Sequence, residues 1–188
     1  MKILLFGLTF ISLTSLYGQG PIQNFTLTNA TDGEQVSLDN IRQSGVVILF
    51  TSNTCPFDAY YTERIRTLID THHDKIQFIL INSCQEPDES IEKMKAAITN
   101  RNFHAPYLAD KDQAVMNQLG AKKSPTAFLL SGGAGKFKVI YRGAIDDNPQ
   151  SAAAVTTNFL ENAINKMLTG QKQEVADSRV AGCTIRRK

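Results

Sequence analysis

Cysteine is scarce in this chain of 188 residues, which has only Cys55, Cys84 and Cys183. So small and odd a number excludes the disulfide framework that staples small secreted domains, and leaves room for one bridge and one spare thiol. Histidine is equally sparse. His72, His73 and His104 stand at no ligand spacing from the cysteines, so neither a metal nor another cofactor is expected. No charge of one sign dominates: 20 Lys and Arg face 18 Asp and Glu, a formal net charge of +2, which argues against attraction to nucleic acid or a membrane surface. Arg179, Arg186, Arg187 and Lys188 gather near the end of the chain and read as a solvated tail. Repeats and low-complexity blocks are missing, and no apolar run reaches the ~20 residues of a transmembrane helix.

The longest apolar run lies at the start, where Lys2, the stretch from Ile3 to Tyr17 and then Gly18, Gln19 and Gly20 form the three parts of a secretory signal. We expect residues 1–20 to be cleaved as a signal peptide. The mature protein would then be periplasmic or extracellular, with no membrane attachment. Roughly 170 residues remain, enough for one domain with its own core: a globular unit over 21–170 and an irregular tail over 171–188.

Strands and helices alternate along that unit. The stretch "NFTLTN", the turn "TDGE" and "QVSL" predict a hairpin. "GVVILFTS" and "KIQFILIN" are continuous apolar runs suited to strands buried on both faces. Between them, from Pro56, Phe57, Tyr61, Ile65, Leu68 and Ile69 line one helix face, while Asp58, Thr62, Glu63, Arg66 and Asp70 face away. Strand, helix and strand together predict a βαβ unit with parallel strands and a right-handed crossover. His72 and His73 read as cations at that helix's C-terminus, and His104 as part of a surface turn. A second helix is expected from Asp88 to Arg101, burying Ile91, Met94 and Ile98, with "PYLAD" as a short strand after it. A third, short helix would be capped by Asp112 and stopped by Gly120. "SPTAFLLSGGAGKFKVIYRG" predicts a closing antiparallel hairpin, and Ser151 to Leu168 a final helix with Val155, Phe159, Ala163 and Met167 as one ridge beside Leu160 and Ile164.

Cys55 stands at a strand-to-helix junction, and Pro56 after it suits the first helical position. The thiol is thereby set beside free N–H groups and the positive end of a helix dipole, which favour the thiolate, the nucleophile of exchange chemistry. Asp58, three residues on, opposes this by like-charge repulsion and also suits a helix start. The alternative for Cys55 is a buried small hydrophobe.

Four stretches carry a family resemblance: "FTSNTCPF", "PYLADKDQAVMNQLGAKKSPTAFLL", "YRGAIDD" and "GCTIRRK". They are similar to segments of the peroxiredoxin-like (redoxin) group of the thioredoxin superfamily, and the resemblance spans residues 22 to 188. It implies an α/β, thioredoxin-like fold, a central mixed sheet with helices on both faces and an N-terminal hairpin extension. It places Cys55 where thioredoxin has the first cysteine of C-x-x-C and makes Pro125 a cis-proline facing it. Ser124 backbone groups would pair with an extended partner chain, and Asn53, Pro56, Ser124 and Pro125 would contact substrate. Two departures stand out. Asp58 occupies the second cysteine's place, and Ile48 replaces the proline of the peroxidatic P-x-x-x-[TS]-x-x-C pattern, although Ser52 fits its hydroxyl position.

A tail of some 15 residues can reach back roughly 50 Å, so Cys183 can meet Cys55. As a partner it could be a resolving thiol or a structural clasp, or it could remain unpaired. Cys84, at the carboxyl edge of the second buried strand, is a further candidate. The leading expectation is a secreted thiol-disulfide oxidoreductase or antioxidant protein in which Cys55 attacks a disulfide-containing or oxidised protein substrate, resolved by Cys183 and recharged by a thiol electron donor. The alternatives are a weak thiol peroxidase passing through a sulfenic acid and a redox-silent, peptide-binding thioredoxin fold.

Overall fold

The computed structural model describes residues 20–171 and 176–188; the expected signal peptide, but for Gly20, lies outside them. In chain order the elements are β1 (Thr26–Asn29), β2 (Gln35–Ser37), β3 (Gly45–Phe50), α1 (Pro56–His72), β4 (Ile76–Asn82), α2 (Ile91–Arg101), β5 (Tyr107–Ala109), α3 (Ala114–Leu119), β6 (Lys123–Ser124), β7 (Thr126–Gly133), β8 (Lys136–Gly143), α4 (Phe159–Leu168), β9 (Ala176–Asp177) and β10 (Cys183–Thr184). Among the described residues eight strands form one sheet in the order β2-β1-β5-β4-β3-β7-β8-β9, and β10 pairs with β6 beside it.

The sheet is mixed because β3 pairs parallel with β4 and antiparallel with β7. All six residues of β3 are buried. Successive side chains point to opposite faces, so Val47 and Leu49 join one core with Ile65 of α1, Met94 of α2 and Ile164 of α4, while Val46, Ile48 and Phe50 join another with Val115 and Met116 of α3. Helices thus cover both faces of the sheet, and the parallel β3-α1-β4 unit and the β1-β2 and β7-β8 hairpins form as the sequence predicts.

Several boundaries differ from expectation. The Ser90 hydroxyl accepts from Lys93 N and starts α2 there, with Pro87–Glu89 forming a separate helical turn before it. Ile91 is therefore the first residue of the helix and points outward, 41% exposed, while Met94 and Ile98 are buried. Helix α4 begins at Phe159 and not at Ser151, because Asp147 takes Thr156 N and gives its own N–H to Thr157 O, holding that segment extended. Its core face is Leu160, Ala163 and Ile164, with Phe159 and Met167 at the margin. Asp112 accepts from Ala114 N, but the buried Asp110 carboxylate takes both Val115 N and Met116 N and does most of the capping of α3; Gly120, at φ 72°, ends that helix. His72 is buried rather than a cation at the helix end, and burial lowers its pKa below the ordinary histidine range; His73 and His104 are exposed.

The largest correction concerns the tail. Its described residues carry two short strands, β9 parallel to β8 and β10 antiparallel to β6. Ile185 is 4% exposed, Gln113 holds Arg186 O and Lys188 N, and the basic side chains of Arg186, Arg187 and Lys188 face solvent. The end of the chain is docked rather than solvated.

Candidate active site

Strand register assembles the site. Phe50, the last residue of β3, pairs with Thr126, the first of β7, so Pro125 must lie beside the loop that follows β3. That loop runs from Thr51 to Thr54, and Cys55 caps α1 with extended backbone (φ −74°, ψ 122°), its carbonyl receiving Asp58 N. The Ser124–Pro125 peptide is cis, and the Ser124 carbonyl oxygen lies 3.4 Å from Cys55 Sγ; a reduced thiol there would donate to it. In β10, Cys183 is the register partner of Ser124. That pairing sets it against Cys55, and the two form a disulfide (S–S 2.03 Å, Cα–Cα 5.9 Å) across 128 residues of sequence. Cys55 is buried and Cys183 half-buried. Of the expected site residues, Cys55, Cys183, Ser124 and Pro125 are thus brought together. Pro56 stands exposed next to them.

Asn53 serves the loop itself. Its amide donates to Asp88 O and accepts from Tyr107 Oη, leaving its two polar ends engaged within the protein. The organising group is one the sequence reading missed, the Glu89 carboxylate. It accepts from Ser52 Oγ, Asn53 N, Thr54 N, Thr54 Oγ1 and Asn82 Nδ2 at 2.6 to 3.1 Å. Burial would push its pKa up, but these hydrogen bonds outweigh burial and hold it below the ordinary range. Arg101, at the end of α2, donates to Thr51 Oγ1, Ser52 O and Asn53 O from the other side. In sequence Glu89 sits in "QEPDES", an acid-rich turn with nothing to mark one carboxylate as buried. The Ser52 hydroxyl donates to Glu89 and accepts from Thr54 N and Cys55 N; it supports the loop and is not aimed at the sulfur.

Asp58 does not face away from the core. It is 1% exposed, its carboxylate taking Thr51 Oγ1 at 2.6 Å and Ser52 N at 3.2 Å. The loop folds back over the first turn of α1, which buries the side chain the helix pattern assigns to solvent. Burial pushes its pKa up to about 7, against the Thr51 bond and the nearby Arg101 charge. The Ser124 hydroxyl, which makes no well-formed hydrogen bond, also helps to hold that charge. A titratable carboxyl therefore lies one helical turn from Cys55, where a C-x-x-C protein carries sulfur.

Cys84 is not the partner of Cys55. It is free and buried, and burial, with Glu89 and Glu86 nearby, pushes its thiol up to about 12, so at neutral pH it stays protonated and unreactive. Farther along α1, the "YRGAIDD" segment has a structural part. Asp146 accepts from Tyr61 Oη and pairs with Arg64, which also holds Asn148 O and Pro149 O and lies over the Tyr61 ring. Beside the disulfide, a cleft of about 590 Å³ is lined by Phe57, Tyr61, Phe159, Arg179 and Gly182. Among the described residues no group of His, Cys, Asp and Glu is arranged to hold a metal ion, and no helix is long and apolar enough to cross a membrane.

The fold is shared by solved structures. An uncharacterized conserved protein from Geobacillus kaustophilus is 28% identical, with a TM-score of 0.78 over 90% of this chain and 92% of its own. A hypothetical protein from Sinorhizobium meliloti is 25% identical, with a TM-score of 0.74 over 88% and 92%. More distantly, at 15% identity and a TM-score of 0.55, a secreted Mycobacterium tuberculosis disulfide oxidoreductase homologous to E. coli DsbE matches 75% of this chain and 94% of its own. No curated protein matches in sequence. The fold is thioredoxin-like, and the lineage within it is set by the sequence itself: residues 19–145, well over half of the chain, match the AhpC/TSA family, to which this protein therefore belongs.

Proposed function

We propose that this protein is a thiol-disulfide oxidoreductase working outside the cytoplasm, with Cys55 as its nucleophile and Cys183 as its resolving thiol. The observation that carries the reading is the Cys55–Cys183 disulfide held beside Ser124 and Pro125 at the N-terminus of α1. In the reduced protein the Cys55 thiolate, favoured by the helix terminus, attacks one sulfur of a client disulfide. A Cys55–client bond forms and the client's other sulfur leaves as a thiolate. Cys183 then attacks Cys55 Sγ, expels the second client sulfur and restores the internal disulfide. The client gains two electrons and the protein loses two. A dithiol donor returns them by attacking Cys183, the less buried of the two residues, with Cys55 as leaving group. The leader-like residues 1–20 and the secreted character of the Mycobacterium tuberculosis neighbour support an oxidising compartment.

The test is a protein-disulfide reduction assay with acid quench, alkylation and mass analysis. Cys55→Ser should lose all reduction, whereas Cys183→Ser should stop after one event and accumulate a Cys55–client mixed disulfide. Wild-type turnover by Cys183→Ser with no trapped species would remove the resolving role. A Cys55 no more reactive than a model thiol would leave a peptide-binding thioredoxin fold, and reduction of hydroperoxides in preference to disulfides would make the protein a peroxidase.

A further inference from the structure

The tail lies on the surface that a client would need. Residues 182–185 run antiparallel to Lys122–Ser124: Cys183 registers with Ser124, Thr184 with Lys123, and Ile185 N donates to Lys122 O. Lys123 Nζ holds Val180 O, and Gln113 holds Arg186 O and Lys188 N. All of these tail atoms belong to the backbone. Such contacts bind an extended chain without reading its sequence, as strand addition does.

Within residues 182–185, side-chain identity enters at three positions. Cys183 supplies the sulfur. Gly182 passes so close to the cis-proline loop that a Cβ at that position would sit 2.2 Å from Ser124 O and 3.3 Å from Pro125 N, so no side chain fits. Ile185 is buried in the core cluster that holds Leu119, Ala121 and Phe128. Between them Thr184 is exposed, as are Arg186, Arg187 and Lys188.

We propose that the tail is a self-substrate: it fills the client groove in the oxidised protein, vacates it on reduction, and displays the groove's preference for an extended segment with Gly before the reactive cysteine and an aliphatic residue two positions after it. The proposal rests on the oxidoreductase reading above. Clients are then protein disulfides in which one cysteine lies in a Gly-Cys-x-Ile/Leu/Val segment that can be drawn out as a strand. While the Cys55–Cys183 bond lasts, the groove is closed to them.

The test uses the full-length Cys183→Ser protein and the peptide Val-Ala-Gly-Cys-Thr-Ile-Arg with its cysteine joined to glutathione. Cys55 thiolate attacks the peptide sulfur, the Cys55–peptide disulfide forms and glutathione leaves as thiolate; mass analysis separates this from attack on the glutathione sulfur. Versions with Ile replaced by Asp or Gly replaced by Val, together with glutathione disulfide, complete the set. The protein is the same in every reaction, so competition from its own tail cancels. The parent peptide should transfer roughly tenfold faster or more than either altered peptide, the scale set by burying one aliphatic side chain. Equal rates for the three peptides, with glutathione disulfide also reacting, would overturn the groove preference while leaving the thiol chemistry intact. No reaction with any of the four would overturn both.

Discussion

Asp58 and Glu89 are both buried carboxyls beside one loop, yet they titrate in opposite directions. Glu89 collects five hydrogen bonds and stays charged; Asp58 collects two and is pushed up to about 7. Because the folded pKa of Asp58 exceeds its unfolded value, the native state keeps a proton that the unfolded chain has lost between roughly pH 4 and 7. Its contribution is complete below that window and is lost as pH rises through it, on the order of 4 kcal/mol in all. Asp58→Asn can keep both contacts, with its oxygen toward Ser52 N and its nitrogen toward Thr51 Oγ1. Urea unfolding should therefore show the variant gaining stability over wild type as pH rises from 4 to 7. In the reduced protein the same change should speed alkylation of Cys55 at pH 8, where a neighbouring charge is removed, and leave it unchanged at pH 5. Glu89→Gln puts an amide donor among donors, and a loss of about 3 kcal/mol in denaturant unfolding is expected.

Helix α2 shows how a cap resets a helix. Once Ser90 is the N-cap, Ile91 turns to solvent and Met94 and Ile98 carry the burial. Met94→Ala should cost about 2–5 kcal/mol by the cavity it leaves, and Ile91→Ala should stay within about 0.5 kcal/mol of wild type; equal costs in thermal or urea unfolding would restore the register that starts at Asp88. The same reasoning covers α4, whose apolar pattern continues upstream of Phe159 while Asp147 holds residues 156 and 157 out of the helix. Periodicity locates the buried face of a helix, but a side-chain cap from elsewhere in the chain decides where that face begins.

At the scale of the whole molecule, one covalent bond closes a loop of 128 residues. Constraining so long a loop in the unfolded chain is worth up to about 5 kcal/mol. Reduction, or Cys183→Ser, should lower the guanidinium midpoint accordingly while the sheet persists. Hydrogen exchange should localise the change: amides of Cys183 and Ile185 and of the facing Lys123–Ser124 strand should lose protection on reduction, and those of β3 and β4 should not. Uniform loss across β3 and β4 would mean that the bond holds the fold and not merely the tail.

The sequence by itself determined the sheet and its chemistry-bearing junction. Apolar, β-branched runs such as "VVILF" and "FILI" suit strands buried on both faces, the Cys-Pro pair marks a helix start, and the motif resemblance put Pro125 opposite Cys55. These signals are local, fixed by residue type and period over a few positions. Only the tertiary structure decided the rest. It buried Asp58 and Glu89, whose neighbours in sequence look solvated, because the loop and the turn before α2 close over them from opposite sides. It chose Cys183 over Cys84, because register with Ser124 carries the tail sulfur to Cys55 while burial keeps the other thiol protonated. It docked a basic, short tail that no hydrophobic pattern announces, because backbone pairing with β6, the burial of Ile185 and the Cys55–Cys183 bond act together once the edge is there to receive them.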